Sequence, residues 1–517
     1  MKEDQSSIKE KATVSIKATR KEWIGLIIIA LPCIVYAMDL TVLNLAIPHI
    51  SADLKPTSSE LLWIIDMYGF MVAGMLITMG TLGDKIGRRK LLMIGAAAFA
   101  VTSIIAAFST SAPMLIAARA LLGIAGATVA PSTLSLIRNM FLDEKQRTIA
   151  IGVWITSYSI GGAIGPLVGG FLLDHYSWQS IFYVSVPVMV LLLITAPFLL
   201  PEYKDPDAGR LDLLSAAQSI IAILAIIFGL KKIAENGITM QAVISIVIGI
   251  FFMTLFVRRQ NRLAIPLIDL KLFRIPTFNV SLIAYMMGAF ISFGSSIFIS
   301  QYLQLVLGLS PLQAGLWMLP WALGFIVGSL LTPLIIKHIN PVQVMTAGFA
   351  LGALGYGIIL QVETLPPLTA LVIGSVITSV SMAPIFILTT DFILNSAPPE
   401  KAGAASAISE TSAEMGGALG IAILGSIGTA IYRISITRNI PDRVPASDAK
   451  AAKDTLGEAI TEAEKLKNAG NELIVVAKQS FTDALQYSLL LCVILSAALA
   501  VIIYFRLRRT GTAAPNS

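Results

Sequence analysis

Gly161-Gly162-Ala163-Ile164-Gly165 and Gly416-Gly417-Ala418-Leu419-Gly420 are two runs of nearly one pattern, one early and one late in the chain. Each follows a short basic segment and sits near the middle of an apolar stretch. Taken as corresponding points of an internal repeat, they number the chain outward in both directions. The first run falls in the fifth of six apolar helices and the second in the fifth of a later six. Two helices then remain between the halves. The order is six helices, two extra, then six more.

Composition sets the solvent for those helices. Of 517 residues, 56% are hydrophobic and 13% charged, and the mean hydropathy is +0.80. Soluble domains carry about 25% charged residues, and a membrane-crossing helix needs about 20 mostly apolar ones. The chain has apolar residues for about fourteen crossings and few left for a soluble core. An outer-membrane barrel is excluded as well, since its strands are short and alternate apolar with polar residues. Hydropathy predicts helices at 23–47, 61–82, 91–109, 113–137, 148–172, 178–200, 212–230, 239–257, 279–302, 313–336, 342–360, 367–392, 402–432 and 482–505. The expected fold is all-α and integral to the membrane, with parallel halves that hold substrate between them near the midplane.

The net charge of +6 is a matter of position. Sixteen Lys and Arg fall in the even-numbered loops, three (Lys55, Lys231, Lys232) in the short odd-numbered loops, six in the N-terminal tail and three in the C-terminal tail. The positive-inside rule then makes both termini and the even loops cytoplasmic. No nucleic-acid partner is implied. The expected division is a cytoplasmic tail 1–22, a six-helix bundle 23–200, two inserted helices with a connector 201–278, a six-helix bundle 279–505, and a tail 506–517. Residues 1–21 lack the apolar core of a cleaved signal. The long segment 433–481 places Leu456, Ile460, Ala463 and Leu466 at helical spacing and reads as amphipathic helices over the outer mouth.

Neither catalysis nor a cofactor is signalled. Cys33 and Cys492 fall inside helices, and His49, His175 and His338 have no ligand spacing. Walker, HExxH and nucleophile-elbow patterns are missing, so no metal, no cofactor and no enzymatic activity are expected. The sequence therefore gives no ATP site.

Charged groups within a bilayer are expensive and are functional candidates by default. Asp39 lies roughly 22 Å along helix 1 and Asp66 roughly 8 Å inside the outer end of helix 2. Both fall in the outer half and can face one cavity, although Asp66 is shallow enough for headgroup level. Glu410 and Glu414 are four apart and share one face of helix 13, with Glu410 near the midplane. At the matching points of helix 5 stand Ile155 and Ser159, so the repeat does not account for these acids. Two carboxylates this close titrate as a coupled pair, and such a pair can hold either a proton or an organic cation. Asp391 stands near the inner end of helix 12, where an interfacial role and a helix-end hydrogen bond remain open. Arg119 is the lone cation within the predicted helices. It either snorkels outward or is buried against a carboxylate or carbonyls.

A cavity for lipophilic cations needs aromatic faces and soft side chains beside its acids. Tyr36, Met38, Trp63, Trp154, Tyr158, Trp317, Met318, Trp321 and Phe325 are the candidates, with an interfacial aromatic belt as the alternative for those near helix ends.

Four motifs in order carry a family resemblance. Helix 1 reads Asp39-Leu40-Thr41-Val42-Leu43-Asn44-Leu45-Ala46-Ile47-Pro48. The loop after helix 2 holds Gly80, Leu82, Asp84, Gly87, Arg88, Arg89 and Leu92. Helix 4 has Arg119, Gly123 and Gly126, and helix 5 has Gly161, Gly165-Pro166 and Gly169-Gly170. Over nearly its full length the chain resembles the 14-helix drug:proton antiporters of the major facilitator superfamily. Trp63-Ile64-Ile65-Asp66 and the helix 13 acids look most like the quaternary-ammonium and antiseptic efflux branch. The resemblance implies a proton-coupled exporter of lipophilic cationic drugs, antiseptics and dyes in the cell membrane, working as a monomer by alternating access. It also implies proton transfer by Arg119, a latch at Asp84 and Arg88 that breaks when the inner face opens, and an exporter-type glycine run in helix 5. In the latch, Asp84 can favour a helix N-terminus while Arg88 and Arg89 stay in the cytoplasm. Some relatives place an acid in helix 10 where this chain has Phe325, which points to monovalent substrates. Two other readings stay open: a proton-coupled transporter of a physiological metabolite, and a non-transporting membrane scaffold.

Overall fold

The computed structural model describes residues 17–508 except 57, 205–211, 264–265, 364–366, 399–400, 442 and 454. The tail through residue 16 and the tail from 509 lie outside the described residues. Fourteen helices are long and apolar enough to cross a membrane. Spans 1 to 6 are Arg20–Leu43, Trp63–Ile86, Arg88–Ala107, Ala112–Met140, Glu144–Leu173 and Ser180–Leu199. Spans 7 and 8 are Leu213–Ile233 and Met240–Gln260. Spans 9 to 14 are Pro276–Val306, Gln313–Ile335, Pro341–Ile359, Pro367–Ser396, Ala402–Asn439 and Gly470–Arg506. Hydropathy located every one of them but cut several short. The helix of span 1 runs on to Leu54, and that of span 7 reaches Asn236. A helix continues wherever its backbone hydrogen bonds do, and polar residues at its end do not stop it. Span 4 consists of two helices, Ala112–Gly126 and Val129–Met140; Pro131 in the first turn of the second lacks an N–H to give, a position where proline is tolerated.

The repeated glycine run does the same work in both halves. A Cβ on Gly161 would collide with the Ile34 carbonyl of span 1, and one on Gly165 would meet Thr41 and the Met38 carbonyl. In the second half, Gly416 and Gly420 press against the Met286 and Phe290 carbonyls of span 9. In each case two glycines four apart meet two carbonyls four apart. Without a hydrophobic drive between helices in lipid, this close backbone approach is what holds spans 1 and 5, and spans 9 and 13, together. Gly162 stands in open space, and the Pro166 side chain lies outside the described residues.

Spans 7 and 8 form a hairpin on the outside of this frame. Asp212 caps span 7 by accepting from the Leu214 N–H at 3.2 Å and receives Arg259 of span 8 in a two-pronged pair at 2.7 and 3.1 Å. The Arg259 hydrogen bonds hold the Asp212 carboxyl down at about 2. Span 8 packs chiefly on span 7, whereas span 7 packs against spans 2 and 13 and so fills the seam between the halves. A separate buried core joins Phe70 and Ile77 of span 2, Ile223 and Ile227 of span 7, Tyr285 of span 9 and Ile408 of span 13.

The segment between spans 13 and 14 contains two short helices, Ala446–Ala452 and Leu456–Lys465. Of the four residues that the spacing singled out, Leu456 and Ala463 are buried and Ile460 and Leu466 partly so, with Ala459 buried beside them. Their principal contacts are with the extended helix of span 14, and Tyr432 at the end of span 13 donates to the Ala452 carbonyl at 2.9 Å. They pack on the connected ends of those two helices.

Gly161→Val is expected to cost about 1–3 kcal/mol through overpacking at the span 1 crossing. Thermal unfolding in detergent checks this against Gly162→Ala, whose added methyl meets nothing and leaves stability unchanged.

Candidate functional site

Arg119 of span 4 is fully buried and settles the choice between snorkelling and pairing. Its guanidinium pairs with Asp39 of span 1, donates through Nε to the Ile64 carbonyl of span 2 at 3.3 Å, and lies 4.7 Å over the Tyr68 ring. One cation thus ties three helices around a group that would otherwise be an uncompensated charge in low dielectric. It is not the lone cation inside the helices: Arg88, Arg147 and Lys231 also lie within spans.

Beside that knot each half carries a cluster of largely buried aromatic side chains. In the first half, Tyr36 packs on Tyr68 and Tyr158 at centroid distances of 5.7 and 5.5 Å, and Tyr158 packs on Trp154 at 4.9 Å. In the second half, Trp321, Phe325, Phe386 and Tyr285 follow in contact at 5.4, 6.1 and 5.3 Å. The Tyr285 hydroxyl donates to Glu410 at 3.0 Å. Tyr36 lies within electrostatic reach of Glu414, Glu410 and Asp39, so spans 1 and 13 bring these groups to one place. Glu410 is half-buried and Glu414 exposed, so the Glu414 side chain is accessible. Among the described residues neither glutamate forms an ion pair.

Asp66 has a different fate. It pairs with Lys231 of span 7, whose ammonium also stands 4.7 Å over the Phe70 ring. The sequence placed Lys231 in an outer loop because hydropathy falls there, but the helix carries it inside the span. Trp63 belongs to this corner, stacked on Phe228 at 6.1 Å and near Phe70 at 6.0 Å.

On the face that bears the basic loops the halves are clamped together. Arg88 is buried and pairs with Asp84. Its guanidinium occupies the space over Gly403 at the start of span 13, where any Cβ would overlap it. The sequence left Arg88 in the aqueous phase and gave Asp84 to a helix N-terminus. The structure reverses both, because Glu202 takes the N-terminus of span 3, accepting from the Arg89 and Lys90 N–H groups at 3.1 Å each. Gly87 makes the turn between them at φ +111°, a conformation that favours glycine. Arg147 of span 5 binds buried Asp391 of span 12 at 3.0 Å, and Arg138 of span 4 donates to the Leu394 carbonyl of span 12. Asp391 thus joins the clamp and is separated from the glutamates of span 13 by role and partner.

Three aromatic and soft candidates have other surroundings. Met38 faces Ile181 and Phe182 of span 6, Trp317 is exposed on span 10, and Trp154 is buried with its indole N–H on Thr133 at 2.9 Å. Tyr68, Tyr285, Phe386, Arg147, Glu202 and Lys231 are functional neighbours that the sequence reading passed over. The acids four apart in span 13 and the tyrosine on the helix that its glycines touch were the available signal for Tyr285.

Comparison with known proteins agrees with this architecture. The family model described as Major Facilitator Superfamily matches residues 29–421. The multidrug efflux pump LfrA of Mycolicibacterium smegmatis is 39% identical over 95% of this chain and 97% of its own. The methyl viologen resistance protein SmvA of Salmonella typhimurium is 35% identical over 89% of this chain and 93% of its own. Among solved structures, the human organic anion transporter MFSD10 superposes with a TM-score of 0.58 at 14% identity, covering 92% of this chain and 99% of that one, a likeness of fold. The chain belongs to the major facilitator superfamily: it is a multi-pass membrane transporter, not an enzyme.

Breaking one partner of a buried ion pair costs about 3–5 kcal/mol. Arg147→Ala is therefore expected to destabilise the protein more than Arg147→Ala combined with Asp391→Ala, which removes the stranded charge. Unfolding midpoints of the two single variants and the double variant in detergent measure the coupling, and additive losses would show that the pair contributes nothing.

Proposed function

We propose that this transporter exports lipophilic organic cations, chiefly monovalent, in exchange for protons, with Glu410 and Glu414 as the groups that bind one or the other. The observation that carries the reading is a difference in pairing. Asp39, Asp66 and Asp391 each hold a basic side chain. Glu410 and Glu414 do not, and they stand open beside Tyr36, Tyr158, Tyr285 and Phe386. A carboxylate in a low-dielectric space needs a counter-charge, which either a proton or a cation supplies. The aromatic faces around it attract a desolvated cation. Multidrug efflux is the activity named for the relative LfrA and methyl viologen resistance the one named for SmvA, and export of a cation fits a site of this composition better than a sugar or an anion does.

The basic face is the cytoplasmic one by the positive-inside rule, so the clamped state described above is open outward. In that state protons reach Glu410 and Glu414 from outside and release the bound cation. Return to the inward state separates Arg88 from Gly403, Arg147 from Asp391 and Arg138 from Leu394, and exposes the same acids to cytoplasmic drug. The paired Asp39 and Arg119 hold spans 1, 2 and 4 as one body during that motion and stand next to the proton path. Exchange of one proton for one monovalent cation moves no net charge. A second proton would draw on the membrane potential at about 2.3 kcal/mol per charge per 100 mV.

The test uses proteoliposomes acidified inside, with the gradient reported by a fluorescent amine. A monovalent quaternary ammonium compound is expected to collapse the gradient, while a sugar and an organic anion are not. Glu410→Gln is expected to abolish the collapse with normal membrane insertion. A gradient released by an anion or sugar and not by the cation would favour a metabolite transporter instead, and a fully active Glu410→Gln would remove that residue from the coupling site. Asp39→Asn is expected to lose efflux too, and in addition to lower the unfolding temperature, because it leaves the Arg119 charge buried without its partner.

A further inference from the structure

The corner where spans 2 and 7 meet has the chemistry of a second cation site, already filled by the protein. Trp63, Phe70 and Phe228 form a ring triad with centroid separations of 6.0, 6.1 and 6.4 Å. A carboxylate, Asp66, stands beside it. Rings and an acid together are what a lipophilic ammonium group requires. The Lys231 ammonium lies 4.7 Å from the Phe70 centroid and is paired with Asp66. Lys232 stands 5.8 Å over Phe228. Span 7, which carries Lys231, also packs against span 13, the helix of Glu410 and Glu414, and Lys231 lies within electrostatic reach of Glu414. Its side chain keeps 35% of its surface exposed, and that of Asp66 keeps 25%. Water can therefore reach the pair.

We infer that Lys231 is a tethered cation that fills a second charge subsite formed by Asp66, Trp63, Phe70 and Phe228, and thereby sets the transporter for singly charged substrates. The inference rests on the cation-export reading. A substrate with one positive charge is neutralised at one of Glu410 and Glu414 while the other keeps its proton. The second charge of a dication needs another acid in reach, and the acid available there is Asp66. While Lys231 holds Asp66, that second charge meets a neutralised carboxylate and a repelling ammonium. Lys suits this role because it is a compact point charge on a flexible stem. The inserted spans thus contribute to selectivity through span 7, which is the one packed against spans 2 and 13.

The test compares proton-gradient collapse by tetraphenylphosphonium, a monocation, with collapse by methyl viologen, a dication, in proteoliposomes of the full chain. Lys231→Gln is expected to raise the ratio of methyl viologen to tetraphenylphosphonium response by roughly five- to tenfold, the scale of one partly exposed charge interaction. Lys231→Arg, which keeps the charge, is expected to restore a low ratio. Adding Asp66→Asn to Lys231→Gln is expected to remove the gain. An unchanged ratio in Lys231→Gln, or a gain that survives Asp66→Asn, overturns the inference while leaving cation export intact. A wild-type protein that answers neither cation overturns the export reading and this inference with it. Unfolding temperatures of the same variants separate a purely structural pair, for which Lys231→Gln lowers stability and leaves the ratio where it was.

Discussion

A charge inside a lipid bilayer must be neutralised, and that constraint sorts the acids described above. Arg119 is held by Asp39 and a carbonyl, Asp391 by Arg147, Asp66 by Lys231, and Arg88 by Asp84. Each pairing also joins helices or halves, so neutralisation and architecture are one requirement met by the same bonds. Glu410 and Glu414 form no ion pair among the described residues. The division between paired and unpaired acids follows from partners alone, before any analogy to relatives is used.

The scaffold that presents these groups is symmetric, and the groups are not. Glycines four apart meet carbonyls four apart in both halves, and the same helix crossing results. On that common frame the first half carries tyrosines and a buried cation, whereas the second carries two acids and a phenylalanine-rich wall. A symmetric frame lets the halves rock about a shared axis. The asymmetric lining gives the space between them a chemical identity.

The sequence disclosed what depends on local pattern. Apolar windows located all fourteen helices, the glycine runs numbered them, and spacing alone put Glu410 and Glu414 on one face. Partners separated far along the chain were beyond that kind of reading. Arg119 and Asp39 are 80 positions apart, Lys231 and Asp66 are 165, and Arg147 and Asp391 are 244. Lys231 was misplaced for a related reason: hydropathy drops at Lys231-Lys232, yet the backbone stays helical to Asn236. Arg88 was sent to water because its type is usually solvated, and the missing side chains at Gly83 and Gly403 make room to bury it.

That burial bears on how the closed basic face can open again. Arg88 gives one hydrogen bond to Asp84, while its Nε and Nη1 are buried with no hydrogen-bond partner among the described residues. An unsatisfied buried donor costs about 1–3 kcal/mol, and more when it is charged. The clamp is therefore tight in shape and weak in energy, since part of what Gly403 permits by fit is lost through desolvation of the guanidinium. Arg147 and Asp391 offset this with a buried pair across the halves. Two conformations that exchange in a transport cycle must lie within a few kcal/mol of one another. A fully satisfied Arg88 would deepen the clamped state and slow its release. The partly satisfied one keeps the two states close in energy.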